Sequence, residues 1–155
     1  MLIVGIGNSY RGDDGIGPWI VKELQKRDLP THIKVTELCG DGAELMEMWR
    51  GYAKVIVVDA VQADCNCGEL FCIKAHEEQV PGDFFHYSTH AFSVAEAVEL
   101  SKALQELPAE VNIYGIAGEN FAMGGEISDA VRETANKVVE LILEDINLTK
   151  GNKHA

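Results

Sequence analysis

Short apolar runs rich in β-branched residues alternate along this chain with longer segments whose apolar positions recur at helical spacing. The runs cover residues 2–6, 33–38, 55–59, 69–74 and 111–116, and the helical segments cover 15–26, 43–50, 91–105 and 131–143. Strand-like runs interleaved with helices predict an α/β sandwich. Leu2-Ile3-Val4 and Val55-Ile56-Val57-Val58 are continuously apolar. Strands buried on both faces read this way, so both are expected to be central and parallel. Glu69-Leu70-Phe71-Cys72-Ile73-Lys74 alternates instead, which fits a strand nearer an edge or running antiparallel.

The predicted helices carry recognisable ends. Pro18 suits a first turn, Asp41 can cap 43–50, Ser88 or Thr89 can cap 91–105, and Ser128 can cap the last helix. Residues 60–68 and 75–88 read as long irregular loops, rich in Gly, Asp, Pro and His, and long loops in compact domains tend to carry function. The reading is one domain over 1–148 and a frayed tail over 149–155.

Composition narrows the function classes. A chain of 155 residues, 46% hydrophobic, holds one compact domain with a core and is too short for two ordinary ones. Thirteen basic residues against 25 acidic ones leave a net charge of −12, which opposes binding to nucleic acid or to an anionic membrane surface. No apolar run approaches the roughly 20 residues of a membrane span, and Met1-Leu2-Ile3-Val4 lacks the basic start of a signal peptide. The expected setting is the cytoplasm and the expected form a monomer. Cys39, Cys65, Cys67 and Cys72 are then expected as free thiols, since a chain with this core needs no staples and a cytosolic one would not keep them. Cys65, Cys67, Cys72 and His76 lack the C-x2-C spacing that structural zinc favours, so zinc is not expected there.

The most informative stretch is Gly7-Asn8-Ser9-Tyr10-Arg11-Gly12-Asp13-Asp14-Gly15-Ile16-Gly17, between the first strand and the first helix. A dinucleotide-binding turn there offers bare N–H groups to pyrophosphate, which two carboxylates would repel, and Tyr10 stands where its third glycine belongs. The loop reads as a site for a cation or for acid/base chemistry, with helix capping by one of the two Asp residues as the plain alternative. Two carboxylates about 5 Å apart repel by roughly 3 kcal/mol at an effective dielectric of about 20, so a cation or a shared proton must relieve them. Ligands in open α/β sheets bind beyond the carboxyl ends of the strands. Asp59 closes the run 55–59, and His90 lies where the loop after the fourth strand enters its helix. Carboxylates plus one imidazole make an incomplete, hard-to-borderline metal site with room for water or substrate.

The motifs Gly5-Ile6-Gly7-Asn8, Asp13-Asp14-Gly15-Ile16-Gly17, Val57-Val58-Asp59-Ala60, Ser88-Thr89-His90 and Ile113-Tyr114-Gly115-Ile116 resemble those of the hydrogenase maturation proteases. These endopeptidases trim the large subunit of [NiFe]-hydrogenases. The resemblance spans nearly the whole chain and implies a three-layer α/β/α fold around a mainly parallel five-stranded sheet. It implies removal of a C-terminal extension from the large-subunit precursor after nickel insertion, with nickel supplied by the substrate. Carried over by motif, the metal and catalytic positions fall on Asp14, Asp59 and His90. One stretch departs: the family's Asp-Gly-Gly-Thr after the second strand is replaced by Leu38-Cys39-Gly40-Asp41, which leaves the choice of hydrogenase open. A different class of function, a non-catalytic protein that senses nickel loading of a partner, fits the same three residues. A nucleotide-binding domain fits poorly because of Tyr10 and the acidic loop.

Overall fold

The computed structural model describes residues 1–62, 65–85 and 92–152. Its strands are β1 (Leu2–Ile6), β2 (Lys34–Leu38), β3 (Lys54–Val61), β4 (Leu70–Lys74) and β5 (Glu110–Ala117), and its helices are α1 (Ile16–Gln25), α2 (Gly42–Trp49), α3 (Val94–Ala103) and α4 (Asp129–Asn152). The five strands form one sheet in the order β2-β1-β3-β5-β4. All pairs are parallel except β4 with β5.

Burial follows the apolar pattern. Every residue of β1 is buried, as are Val55 to Val61 of β3, so these strands need cover on both faces. Leu2, Val4, Val55 and Val57 pack with Leu45 and Trp49 of α2 and Val94 and Val98 of α3. On the other face, Ile3, Ile56 and Val58 pack with Ile16 and Ile20 of α1 and Val131, Val138 and Ile142 of α4. The result is a three-layer α/β/α sandwich. Strand β4, at one edge, buries Ile73 while Cys72 and Lys74 stay exposed. This is the wet-faced alternation its sequence shows. Among the described residues no helix is long and apolar enough to cross a membrane.

Three boundaries differ from the sequence reading. Asp59 does not end its strand: β3 runs on to Val61 because β5 extends with it, pairing Asp59 with Gly115 and Val61 with Ala117. Helix α3 starts at Val94, later than residue 91, because Ser93 and Glu96 form a capping box in which the Ser93 N–H donates to Glu96 Oε2 at 3.0 Å. Ser88 and Thr89 lie outside the described residues. Helix α4 runs past residue 143, since Ile146 continues the buried stripe of Val131, Ala135, Val138 and Ile142. The segment read as a tail from Thr149 is helical to Asn152, and residues 153–155 lie outside the described residues.

Lys54 ties the last helix to the sheet. Its Nζ lies 2.6 Å from Asp145 Oδ1 of α4 and 3.0 Å from Glu110 Oε2 of β5. Burial would lower its pKa, but the two carboxylates outweigh that and hold it above the ordinary lysine value. A raised folded pKa means the contribution is whole at neutral pH and is lost as pH climbs through that value. Lys54→Met should therefore cost about 1–2 kcal/mol in urea unfolding at pH 7. The gap from wild type should close in strong alkali, and a gap independent of pH would show that the ion pairs do not hold α4.

Candidate active site

Strands β1 and β3 are neighbours, yet the chain leaves them toward opposite faces, into α1 on one side and, by way of β4, into α3 on the other. Such a divergence opens a crevice at the carboxyl edge of a sheet. The β1–β3 ladder stops at the pair Gly5 with Val58. Asp59 is the next residue along β3, and it is buried at 5% exposure. Strand alternation places it with Val57 and Val61 on the α2/α3 face.

The loop after β1 comes back against β3. Gly7 has φ +145°, and a Cβ there would sit 1.8 Å from the Asp14 carbonyl oxygen, so the chain can turn back on itself only with glycine at this position. A 3-10 turn, Gly12–Gly15, carries both aspartates and packs against β3. Half-buried Asp14 accepts the Asn8 N–H at Oδ2, 3.0 Å away, immediately past the end of β1.

Asp13 does something else. It is fully buried and accepts the N–H groups of Glu119 (2.9 Å), Asn120 (3.0 Å) and Ser128 (2.6 Å), plus the Ser128 hydroxyl (2.8 Å). Its own N–H donates to the Asn120 carbonyl at 2.8 Å. Burial pushes its carboxyl up, but the amides of Asn120, Ser128 and Glu119 outweigh it and hold the group below the ordinary carboxylate range. These donors relieve the charge of the first aspartate within the protein, so the shared-proton arrangement considered for adjacent carboxylates is not needed at Asp13. Asp13 thus clamps loops together, while Asp14 holds the Asn8 N–H of its own loop. Ser128 stands at the start of α4, where a cap was expected, but its hydroxyl turns to Asp13.

His90 lies outside the described residues, as does His86. The residues bounding that stretch are anchored near the same edge of the sheet. The Phe84 carbonyl accepts the Gln62 N–H at 2.9 Å, just past β3, and the Phe92 carbonyl accepts the Gly42 N–H at 2.9 Å, at the start of α2. Phe84 is further held by a tilted ring contact with Phe71, centroids 4.9 Å apart. His76 serves the fold: its Nδ1 accepts the Val111 N–H at 3.0 Å. The four cysteines carry free thiols.

A family model described as hydrogenase maturation protease matches residues 18–145. The chain belongs to the hydrogenase maturation protease family. A Methanocaldococcus jannaschii protein named as a hydrogenase maturation protease is 34% identical over 151 residues, covering 94% of this chain and 96% of its own. Escherichia coli hydrogenase 2 maturation protease is 25% identical, covering 94% and 87%. An endopeptidase from Escherichia coli, solved in solution, shares the fold with a TM-score of 0.80 at 23% identity, covering 96% and 94%. The enzyme is thus a maturation endopeptidase, a peptide-bond hydrolase.

What the sequence reading missed at the site is the partner set of Asp13. Glu119, Asn120 and Ser128 lie more than 100 positions away and contribute mostly backbone N–H groups, which leave no mark in a side-chain pattern. Removing the carboxylate strands those donors in the interior. Asp13→Ala should lower stability by about 2–4 kcal/mol. A depressed folded pKa contributes stability above the unfolded value and loses it as pH falls through the folded one. Wild type should therefore lose stability in acid more steeply than Asp13→Ala; parallel acid curves would count against the clamp.

Proposed function

We propose that this maturation endopeptidase removes the C-terminal extension of a [NiFe]-hydrogenase large-subunit precursor once nickel is in place. The nickel arrives on the substrate, and Asp14, Asp59 and His90 supply both its additional ligands and the catalytic groups. What supports this reading is membership of the family, together with the packing of the turn that carries Asp14 against β3, the strand that carries Asp59. Their donor chemistry fits a borderline divalent ion. Carboxylate oxygens, with the imidazole of His90 as a third donor, form an open set that completes its sphere only with ligands brought by the substrate.

Peptide-bond hydrolysis adds water oxygen to the carbonyl carbon, breaks the C–N bond and delivers a proton to the departing amine. A fixed carboxylate in a crevice can take the water proton and pass it on. The Asn8 N–H holds the Asp14 carboxylate in one orientation, and burial of Asp59 strengthens its field on whatever enters. The bound metal supplies a recognition handle that registers the scissile bond against these groups. A net charge of −12 opposes self-association and adsorption to anionic membranes, which supports a monomer working in the cytoplasm.

The decisive experiment incubates the protein with nickel-loaded and nickel-free precursor and weighs the products. Shortening only of the loaded form is expected. Equal shortening of both would remove nickel as the handle, and no shortening of either would leave a binding protein. In the same assay Asp14→Asn and Asp59→Asn should each lower turnover by about 100-fold or more, with thermal unfolding within a few degrees of wild type. Full turnover in either variant would take that residue out of the mechanism.

A further inference from the structure

Strand β2 is an edge of the sheet, and its outer side is open. The Lys34 N–H donates to the Met1 carbonyl and the Leu38 carbonyl accepts the Gly7 N–H, so Lys34, Thr36 and Leu38 spend their main-chain groups on β1. By alternation Val35 and Glu37 turn theirs outward. The Val35 carbonyl meets the Gln25 side chain only at 3.5 Å. Among the described residues no partner strand lies along this side. Unpaired edges of this kind are templates for an added strand.

What lies at the carboxyl end of that edge identifies the occupant. A groove of about 490 Å³ opens there, lined by Glu37 and Cys39 on one side and by Gly7, Asn8 and Tyr10 on the other. Asn8 is the residue whose N–H holds Asp14. An extended chain lying along β2 would advance about 3.3 Å per residue and, from Glu37 on, enter a groove shared with Asn8, the residue bonded to Asp14.

We propose that the C-terminal segment of the substrate docks as a sixth strand on the outer edge of β2, bonded to the main chain of Val35 and Glu37, and that the groove leads its scissile bond to Asp14. The proposal rests on the proteolytic reading above. Main-chain recognition tolerates varied side chains, so the edge supplies a general grip, and the groove residues that replace the family's Asp-Gly-Gly-Thr supply the choice of partner.

The probe is a synthetic peptide of the precursor's own C-terminal extension with the residues preceding it. At saturating peptide, amide exchange at Val35 and Glu37 should slow by about tenfold or more. Glu37→Pro, which removes one outward N–H at a position where an edge strand tolerates proline, should raise KM for nickel-loaded precursor about tenfold with kcat little changed. If that variant does not fold, the exchange measurement decides alone. Unchanged exchange at both amides at millimolar peptide overturns the proposal. So does protection that grows with protein concentration alone while the mass doubles, because the edge would then hold a second copy of this chain. A wild-type protein that shortens the precursor with its β2 edge unprotected sinks only the docking mode, whereas one that never shortens it sinks the proteolytic reading.

Discussion

A buried carboxylate holds the carboxyl edge of this molecule together. Asp13 gathers three main-chain N–H groups and a hydroxyl from the segment between β5 and α4. Its own loop is at once pinned to a part of the chain more than 100 residues on. A buried charge without such donors would cost several kcal/mol; with them it becomes a rigid knot. The neighbouring Asp14 inherits that rigidity, because both sit in the same 3-10 turn. The chain thus uses one aspartate to fix the position of the next.

The sheet supplies the other half of the geometry. Strands β1 and β3 are buried on both faces and cannot shift register without exposing apolar rows to water. Where their ladder stops, after Gly5 and Val58, the backbone separates and Asp59 follows at once. The position of Asp59 is therefore a consequence of topology, held by packing that has nothing to do with chemistry. Glycines at the close approaches complete the design. A Cβ at Gly17 would fall 2.2 Å from the Ile6 carbonyl oxygen, so α1 can start against the end of β1 only without a side chain there.

Membership in the hydrogenase maturation protease family gives these features a common purpose. An endopeptidase that acts on a protein substrate needs an accessible rim more than a deep pocket, with polar groups on rigid elements. The loop after β1 packs against β3 on one side and lines a groove with the carboxyl end of β2 on the other. Tyr10, at 75% exposure, belongs to both the loop and the groove.

The sequence alone determined the class of fold, the central strands and the acidic loop, because each leaves a local mark: β-branched runs, alternation in β4, two carboxylates beside glycines. The S-x-x-E spacing of Ser93 and Glu96 stands in the sequence too, but the reading placed the cap earlier, at Ser88 or Thr89, and missed it. Tertiary structure alone decided that Asp13 was the clamp, since adjacent identical residues differ only in what reaches them from afar. It decided that β3 would run through Asp59 to Val61, since that depended on the length of β5. It decided, too, that β2 would be left with an open edge. Strand order is set by how helices cover a sheet, and no single segment records it.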